Sequence, residues 1–127
     1  MLNEREELQS LNGNLGFYYR YRGIFAEYPV DASKIFKRPF QALAKKNDVL
    51  IVISTSGNSS NIIEVLKYAR SKKITTVGFL GGSGGKCKKF CDIKLIVPNK
   101  STARIQECHI FLGHFILEQV ENILINK

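Results

Sequence analysis

The stretch "DVLIVISTSGNSSNIIEVL", residues 48–66, decides the fold of this chain. It begins with a continuous, largely β-branched run, residues 49–53, which is typical of a strand buried on both faces of a sheet. Six small polar residues, 54–59, come next. Apolar side chains then recur at helical spacing, at Ile62, Val65, Leu66 and Ala69. The stretch therefore predicts a buried strand, a tight polar loop and a helix over residues 60–72.

The same alternation continues downstream. Residues 74–80 and 93–98 predict two further strands, the glycine-rich segment 81–91 predicts a loop that enters a short helix, and residues 102–125 predict a long amphipathic helix. Strands that alternate with helices favour right-handed crossovers and a parallel sheet covered on both sides. The predicted fold class is a three-layer α/β fold, a parallel sheet flanked by helices. The apolar face of the long helix is expected to contain Ile105, His109, Leu112, Ile116, Val120 and Ile123.

One more helix is predicted before the first strand. Asp31 or Ser33 is expected to cap a helix through residues 34–46, which carry apolar side chains at helical spacing. Pro39 lies inside this pattern and predicts a late start or a kink, because proline removes a backbone hydrogen bond from a helix interior.

The composition is that of an ordinary soluble domain, with 44% hydrophobic and 24% charged residues. A length of 127 residues is typical of a single domain, 1–127, in which residues 1–30 are an atypical N-terminal segment and residues 31–127 the core. No apolar run reaches about 18 residues, and the polar, acidic N-terminus is unlike a signal peptide. Three widely spaced cysteines argue against a disulfide framework. We therefore expect a cytoplasmic protein without a membrane span, in which Cys87 and Cys91 are buried thiols and not metal ligands.

The chain is basic, with a net charge of +8 and lysines clustered between residues 86 and 100. Such a cluster is typical either of an anion or nucleic-acid surface or of a solvated face. We favour the solvated face, because aromatic side chains that would stack on single-stranded nucleic acid are sparse in this half. A modest positive field would still attract a phosphorylated metabolite.

The hydroxyl-rich loop is the candidate binding site. Ser54, Thr55, Ser56 and Ser59 each carry a hydroxyl that can donate a hydrogen bond to a phosphate oxygen, beside the amide-rich start of the predicted helix. Gly57 permits the tight turn that this arrangement needs. The loop contains no lysine and no GxxxxGK[ST] motif, so a single phosphomonoester is favoured over a nucleotide.

Two other interpretations apply to the same loop. Serine and asparagine are preferred helix caps, worth about 1 kcal/mol each. A cap needs one such residue, whereas this loop has four hydroxyls and a glycine within six residues. A serine nucleophile is not favoured, because no GxSxG elbow and no Ser–His–Asp order are visible. We therefore interpret the loop as phosphate-binding.

Five short segments form a specific combination: Asp-Val-Leu at 48–50, ISTSGNS at 53–59, Gly-Gly at 84–85, RIQECH at 104–109, and His114. This combination resembles the sugar isomerase (SIS) family, and within it the phosphoheptose isomerase group. STSGNS or RIQE alone would be a weak signal, but the two together are specific.

The resemblance implies an activity and a set of roles. The group interconverts sedoheptulose 7-phosphate and D-glycero-D-manno-heptose 7-phosphate by proton transfer through an enediol, in heptose synthesis for lipopolysaccharide or capsule. The four loop hydroxyls would bind the phosphate. His114, which by itself would be explained as a core histidine, matches the residue that moves the proton, and Gln106 matches a position that lines the active site. Some members bind zinc there, and if zinc binds here, Gln106 and His114 are among its ligands. A homotetramer or dimer is also implied, and His109 is interpreted as a packing residue.

The chain departs from the family pattern upstream of the matched region, which covers about residues 32–125. Family members carry there an opening strand, a Gly-Asn-Gly-Gly-Ser loop and a helix with His-x-x-x-Glu, and none of these motifs occurs here. We therefore expect that the N-terminal part is truncated, that residues 1–30 replace the lost sequence, and that half of the acid–base pair is missing. Glu27 and Glu107 are alternatives for it within the chain, but neither matches the motif.

Two other functions remain open. A phosphosugar sensor without catalysis is favoured by the missing acid–base partner. A relative of a DnaA-associating replication regulator would keep the fold and the tetramer. In that group the downstream histidine and the middle of the serine motif tend to be altered, whereas here His114 and residues 54–59 are intact. The intact residues favour the isomerase.

Overall fold

The structure is a computed structural model, and it describes residues 32–126. Three strands, β1 (Val49–Ser54), β2 (Thr75–Gly81) and β3 (Ile93–Val97), form one sheet in the order β1-β2-β3. Both pairings are parallel. The prediction of a parallel sheet is confirmed, and each predicted strand lies within one residue of its observed position.

Three α-helices accompany the sheet: α1 (Lys37–Leu43), α2 (Ser60–Ser71) and α3 (Thr102–Ile125). Short 3-10 turns precede α1 and connect β2 to β3. Among the described residues, no helix combines the length and the hydropathy needed to cross a membrane.

The late start predicted from Pro39 is confirmed. Helix α1 begins only at Lys37, which places Pro39 in the first turn, where its missing N–H removes no hydrogen bond. The predicted cap is wrong for Ser33, because the residue at the N-cap is Phe36, which has no side-chain capping bond. Asp31 lies outside the described residues.

The hydrophobic core lies between the sheet and helix α2. All four side chains predicted for the inner face of α2 are buried there, against Val52 of β1 and Leu80 of β2. Helix α1 packs against α2 on the same side of the sheet. The inner face of α2 was predictable because its helical period is a local property of the sequence.

Helix α3 covers the opposite face, but only in part. It packs against β2, where Phe79 is fully buried. On the same face of β1, Val49, Ile51 and Ile53 remain 45 to 56% exposed. The expectation that this strand is buried on both faces is therefore wrong for residues 32–126, because no described element covers that side of β1. The result is an open trough between β1 and α3.

The predicted apolar face of α3 follows the sheet only at its N-terminal end. Ile105 and His109 are buried and Leu112 and Ile116 are half-buried, whereas the last two members of the face are exposed. A helix of 24 residues is about 36 Å long, so its C-terminal half extends past the sheet. The large apolar side chains that α3 exposes along its length are Ile110, Phe111, Phe115, Leu117, Val120, Ile123, Leu124 and Ile125.

Candidate functional site

The loop that follows β1 is organised by its own hydroxyls. Ser54 ends the strand and is only 4% exposed, and its Oγ accepts the Gly57 amide at 3.1 Å. The same oxygen lies 3.1 Å from Oγ of Ser59, across the loop. Ser54 therefore shapes the turn and joins its two sides.

Helix capping does not account for these hydroxyls. Ser59 occupies the N-cap of α2, yet its side chain makes no capping hydrogen bond and instead contacts Ser54. The first helical hydrogen bond inside α2 runs from the Ile63 amide to the Ser59 carbonyl at 3.0 Å. The amides of the first turn and the Ser59 hydroxyl thus lie together at the positive end of the helix.

A second loop, residues 82–92 between β2 and β3, packs backbone to backbone against the loop that follows β1. Gly57 has φ +66°, and a Cβ at this position would clash with the carbonyl of Gly84. The Cys87 amide donates to the Gly57 carbonyl at 2.8 Å, and the Lys86 amide donates to Asn58 Oδ1 at 2.9 Å. Gly57 is therefore needed both for its left-handed backbone and for close approach.

Sequence reasoning missed Asn58, which joins the two loops. Its Nδ2 donates to the Ser56 carbonyl at 3.2 Å while its Oδ1 accepts the Lys86 amide. The topology of the predicted sheet was the one signal that could have indicated this contact between the two loops. Both loops follow neighbouring parallel strands, and the carboxyl ends of such strands meet at one edge of the sheet.

A cavity of about 570 Å³ lies between the end of β1 and helix α3. Five of the six predicted site residues line it: Ser54, Thr55, Ser59, Gln106 and His114. Ser56 is not part of this lining; it is exposed, and its Oγ accepts the Asn58 amide at 3.1 Å. The structure thus brings one end of the hydroxyl loop together with two polar side chains that are about 50 residues away in sequence.

On the α3 side of the cavity, polar side chains alternate with apolar residues. Gln106 and His114 are exposed and lie two helical turns apart, about 12 Å along the axis. Glu107, one of the two alternative acid–base groups, is not in the lining and pairs with Arg104 at 2.8 Å. Glu27, the other alternative, lies outside the described residues.

His109 also lines the cavity and is buried, with 3% exposure. Its Nε2 lies 3.0 Å from the Leu80 carbonyl oxygen, and its Nδ1 has no hydrogen-bond partner among the described residues. Burial agrees with the packing role predicted for this histidine. The hydrogen bond to the sheet was not predicted.

Zinc in proteins takes at least three protein ligands, with geometry set by nitrogen, sulfur and carboxylate donors. Gln106 and His114 supply two, and the part of the chain that the structure describes contains no group of three or more His, Cys, Asp or Glu that could hold a metal ion. These residues alone therefore do not make a zinc site, and no chemical step below is assigned to zinc.

The prediction of buried thiols is confirmed for Cys87 and Cys91. Sγ of Cys91 donates to the Cys87 carbonyl at 3.4 Å, and burial raises the pKa of the Cys91 thiol to about 11. Both thiols are therefore buried in the core, as predicted.

Comparison with known proteins places this fold and this loop in a family. The SIS domain model matches residues 18–81, which is half of the chain. The chain belongs to the SIS domain family. Among curated proteins, this SIS domain is 50% identical over 93 residues to the phosphoheptose isomerase of Clostridium acetobutylicum, covering 73% of this chain and 47% of that protein. It is 50% identical over 91 residues to that of Aliarcobacter butzleri, covering 72% of this chain and 48% of that protein.

Two solved structures resemble the SIS domain in three dimensions. The phosphoheptose isomerase of Neisseria gonorrhoeae aligns with a TM-score of 0.71 and 33% identity, over 84% of this chain and 57% of that one. The phosphoheptose isomerase of Francisella tularensis aligns with a TM-score of 0.69 and 31% identity, over 85% of this chain and 56% of that one. The chain spans about half the length of the curated relatives it matches.

Proposed function

We propose that this SIS domain protein binds a sugar phosphate in the cavity between β1 and α3, and that it takes part in the isomerisation of a phosphorylated heptose. The observation that carries the proposal is the meeting of Ser54, Thr55 and Ser59 with Gln106 and His114 around one cavity. The names of the relatives supply the substrate class, because the similar proteins and solved structures described above are phosphoheptose isomerases.

The phosphate would lie at the loop end of the cavity. Hydroxyl groups of Thr55 and Ser59 line it there, beside the N-terminus of α2. Helix N-termini favour anions because their first amides lack intrahelical partners. No lysine or arginine of the part of the chain that the structure describes lines the cavity, so on this side neutral donors and the helix dipole would carry the recognition. This set of donors suits one phosphate group better than the chain of phosphates in a nucleotide.

The sugar would extend from the phosphate toward α3. Aldose–ketose isomerisation needs a base that removes a carbon-bound proton and an acid that polarises or protonates the carbonyl. An exposed histidine such as His114 is suited to the first role, because a neutral imidazole nitrogen can accept a proton. The Gln106 amide can hydrogen-bond a substrate hydroxyl or carbonyl.

A second acid–base group would come from outside this part of the chain. Among the described residues that line the cavity, the side chains able to act as a general acid or base are those of His109 and His114, and Nε2 of His109 is engaged with Leu80. Binding is therefore argued from the described residues directly, whereas complete catalysis requires a group that residues 32–126 do not place in the cavity. Zinc, as an additional Lewis acid, would need further ligands for the same reason.

We also propose that the protein is a cytoplasmic homo-oligomer in which a second copy covers the C-terminal half of α3. Cys87, Cys91 and Cys108 are all free thiols, as is usual in a reducing compartment. Contiguous exposed apolar surface on a folded protein is typical of an interface, and α3 exposes eight large apolar side chains along its length. The tetramer that the family resemblance implies would bury them.

The proposal is tested by titrating the purified protein with sedoheptulose 7-phosphate, and then assaying for the aldose product with and without added zinc. Saturable binding together with turnover supports the isomerase. Saturable binding without turnover supports the phosphosugar sensor. Binding to the replication initiator DnaA, with no affinity for sugar phosphate, would overturn the proposal in favour of the regulator.

A further inference from the structure

The candidate site is divided between two elements that touch each other little. The hydroxyl loop continues β1, whereas Gln106 and His114 belong to α3, which packs against β2. In the part of the chain that the structure describes, a single hydrogen bond joins α3 to another element. It links Nε2 of His109 to the carbonyl of Leu80 at 3.0 Å.

This bond ends beside the hydroxyl loop. Leu80 is the register partner of Ser54 in the parallel pairing of β1 with β2. On the helix, His109 lies three residues after Gln106 and five before His114. A hydrogen bond at this point therefore limits how far α3 can rotate about its axis and how far it can move from the sheet. Both movements would change the distance of Gln106 and His114 from the hydroxyl loop.

The partner atom determines the protonation of the ring. A carbonyl oxygen only accepts hydrogen bonds, so Nε2 of His109 carries a proton and donates it to Leu80. In the neutral ring Nδ1 is then a bare acceptor, and among residues 32–126 it is buried without a partner. A buried unsatisfied acceptor is destabilising, and an apolar side chain of similar size would avoid it. Packing alone is therefore a poor explanation for a histidine here.

We propose that His109 is a positioning residue, whose bond to Leu80 holds Gln106 and His114 at the distance from the hydroxyl loop that a sugar phosphate requires. This inference rests on the proposed function of the cavity. His109 acts through α3, because its ring borders the cavity but is only 3% exposed and so presents little surface to a substrate.

Two variants separate positioning from packing. His109→Leu removes the donor and also the unpartnered acceptor, but it leaves the buried Leu80 carbonyl without this donor, so a modest loss of thermal stability is expected and is measured alongside binding. His109→Gln keeps an N–H donor that reaches about as far as Nε2 does. Cys108→Ala, at an exposed neighbouring position on α3, is the matched control.

Two ligands separate positioning from general damage. Inorganic phosphate needs only the loop, whereas sedoheptulose 7-phosphate would use the loop and α3 together. We expect His109→Leu to lower the affinity for the sugar phosphate by on the order of tenfold or more, as is usual when a supporting hydrogen bond is lost. Its affinity for inorganic phosphate should stay within about twofold of wild type, and His109→Gln should recover most of the loss.

Any one of three results would overturn the inference. The first is that the Leu variant binds the sugar phosphate as well as wild type does, and the second is that it loses affinity for both ligands equally. The third is that the Gln variant binds the sugar phosphate no better than the Leu variant does. If wild type binds neither ligand, the proposed function fails, and hydrogen exchange then decides the inference without ligand. Faster exchange of the amides of residues 105–114 in His109→Leu, but not in His109→Gln or Cys108→Ala, supports the bond as the element that holds α3. Equal rates in all variants refute it.

Discussion

The hydroxyl oxygens of Ser54 and Ser59 lie 3.1 Å apart across the loop that follows β1. Ser54 also accepts the Gly57 amide, and either hydroxyl can be the donor between the two serines. When Ser54 donates, the hydroxyl hydrogen of Ser59 is available to a ligand in the cavity, which Ser59 lines. Ser54 is buried and bonded to the loop backbone and thus organises the loop, whereas the half-buried Ser59 makes no capping hydrogen bond.

Replacing Ser59 with alanine should weaken the binding of sugar phosphate by about 1–3 kcal/mol, because a charged phosphate oxygen loses a hydrogen bond. Isothermal titration of the wild type and the variant measures the difference. Ser56→Ala is the matched comparison, since Ser56 lies outside the cavity lining. A loss at Ser56 as large as that at Ser59 would place the phosphate over the outer side of the loop and contradict this assignment.

Local periodicity explains what could be predicted of the fold. The strand from residue 49 and the inner face of α2 depend on spacing within one segment, which sequence displays directly. The exposure of one face of β1 depends on whether another element lies over it. The hydrogen bond between Asn58 and the Lys86 amide joins residues 28 apart in sequence. Neither relation is encoded in a local pattern, so neither was predicted.

The candidate site shows the same division. The loop hydroxyls were identified from their density in one short segment, and Gln106 with His114 from the family motif. The bond from His109 to Leu80 was not predicted, because its two ends lie on different elements and its strength depends on burial. Sequence identifies polar side chains more readily than it identifies what holds them in place.

Gly57→Ala should destabilise the fold, and it has a matched control in Gly82→Ala. Both glycines have positive φ, +66° and +62°, so each alanine suffers left-handed strain of about 1–2 kcal/mol. A Cβ on Gly57 would also clash with the Gly84 carbonyl, whereas one on Gly82 meets nothing within 4 Å. Chemical denaturation should therefore show a larger loss of unfolding free energy for Gly57→Ala. Equal losses would mean that the two loops can separate without cost.

Asp92 should contribute stability that is lost in acid. The Thr76 amide donates to its carboxylate at 2.8 Å and the Thr76 hydroxyl at 2.9 Å, and these bonds lower the pKa of Asp92. Because the folded pKa lies below the unfolded value of about 3.9, this contribution is present above about pH 4 and disappears as pH falls through the lowered pKa.

Thr76→Val removes the hydroxyl donor and keeps the shape of the side chain. The hydroxyl also accepts the Asp92 amide at 3.0 Å and lies 3.1 Å from the Phe90 carbonyl oxygen. The unfolding free energy should therefore fall below that of wild type at pH 7, by about 1–2 kcal/mol for the lost hydrogen bonds. The gap should narrow in strong acid, where Asp92 is protonated. Denaturation at pH 7 and pH 2.5 gives both values, and Thr76→Ser serves as the variant that retains the donor. A gap that does not change with pH would show that Asp92 is not the partner that matters.

The three cysteines should differ in reactivity. Cys108 is exposed, whereas Cys87 and Cys91 are buried and burial raises the pKa of both thiols. An alkylating reagent at pH 8 should therefore label Cys108 alone in the native protein, as mass spectrometry would show, and all three after unfolding. Rapid labelling of Cys91 in the native state would argue against the packing of the second loop.

Alkaline pH should weaken the fold through the same buried thiols. The pKa of Cys91 is raised to about 11, above the ordinary value of about 8.5, so its contribution to stability is complete below pH 8.5 and declines as pH rises toward 11. Cys91→Ala should flatten the pH dependence of the unfolding free energy over this interval, although it also leaves a small cavity. Cys108→Ala, at an exposed site, should leave the alkaline slope unchanged.

Phe111 and Phe115 stack on the exposed side of α3, with ring centroids 6.2 Å apart and more than half of each side chain in solvent. If a second copy covers this surface, Phe111→Glu places an unpaired charge in the interface and should shift the protein toward monomer. Sedimentation velocity over a range of concentrations measures the shift. Gln41→Glu, on the exposed surface of α1, makes the same change of charge away from α3 and should leave the oligomer intact. A wild type that sediments as a monomer at every concentration would remove the second copy as the partner of α3, and with it the explanation for an apolar helix that extends beyond its own sheet.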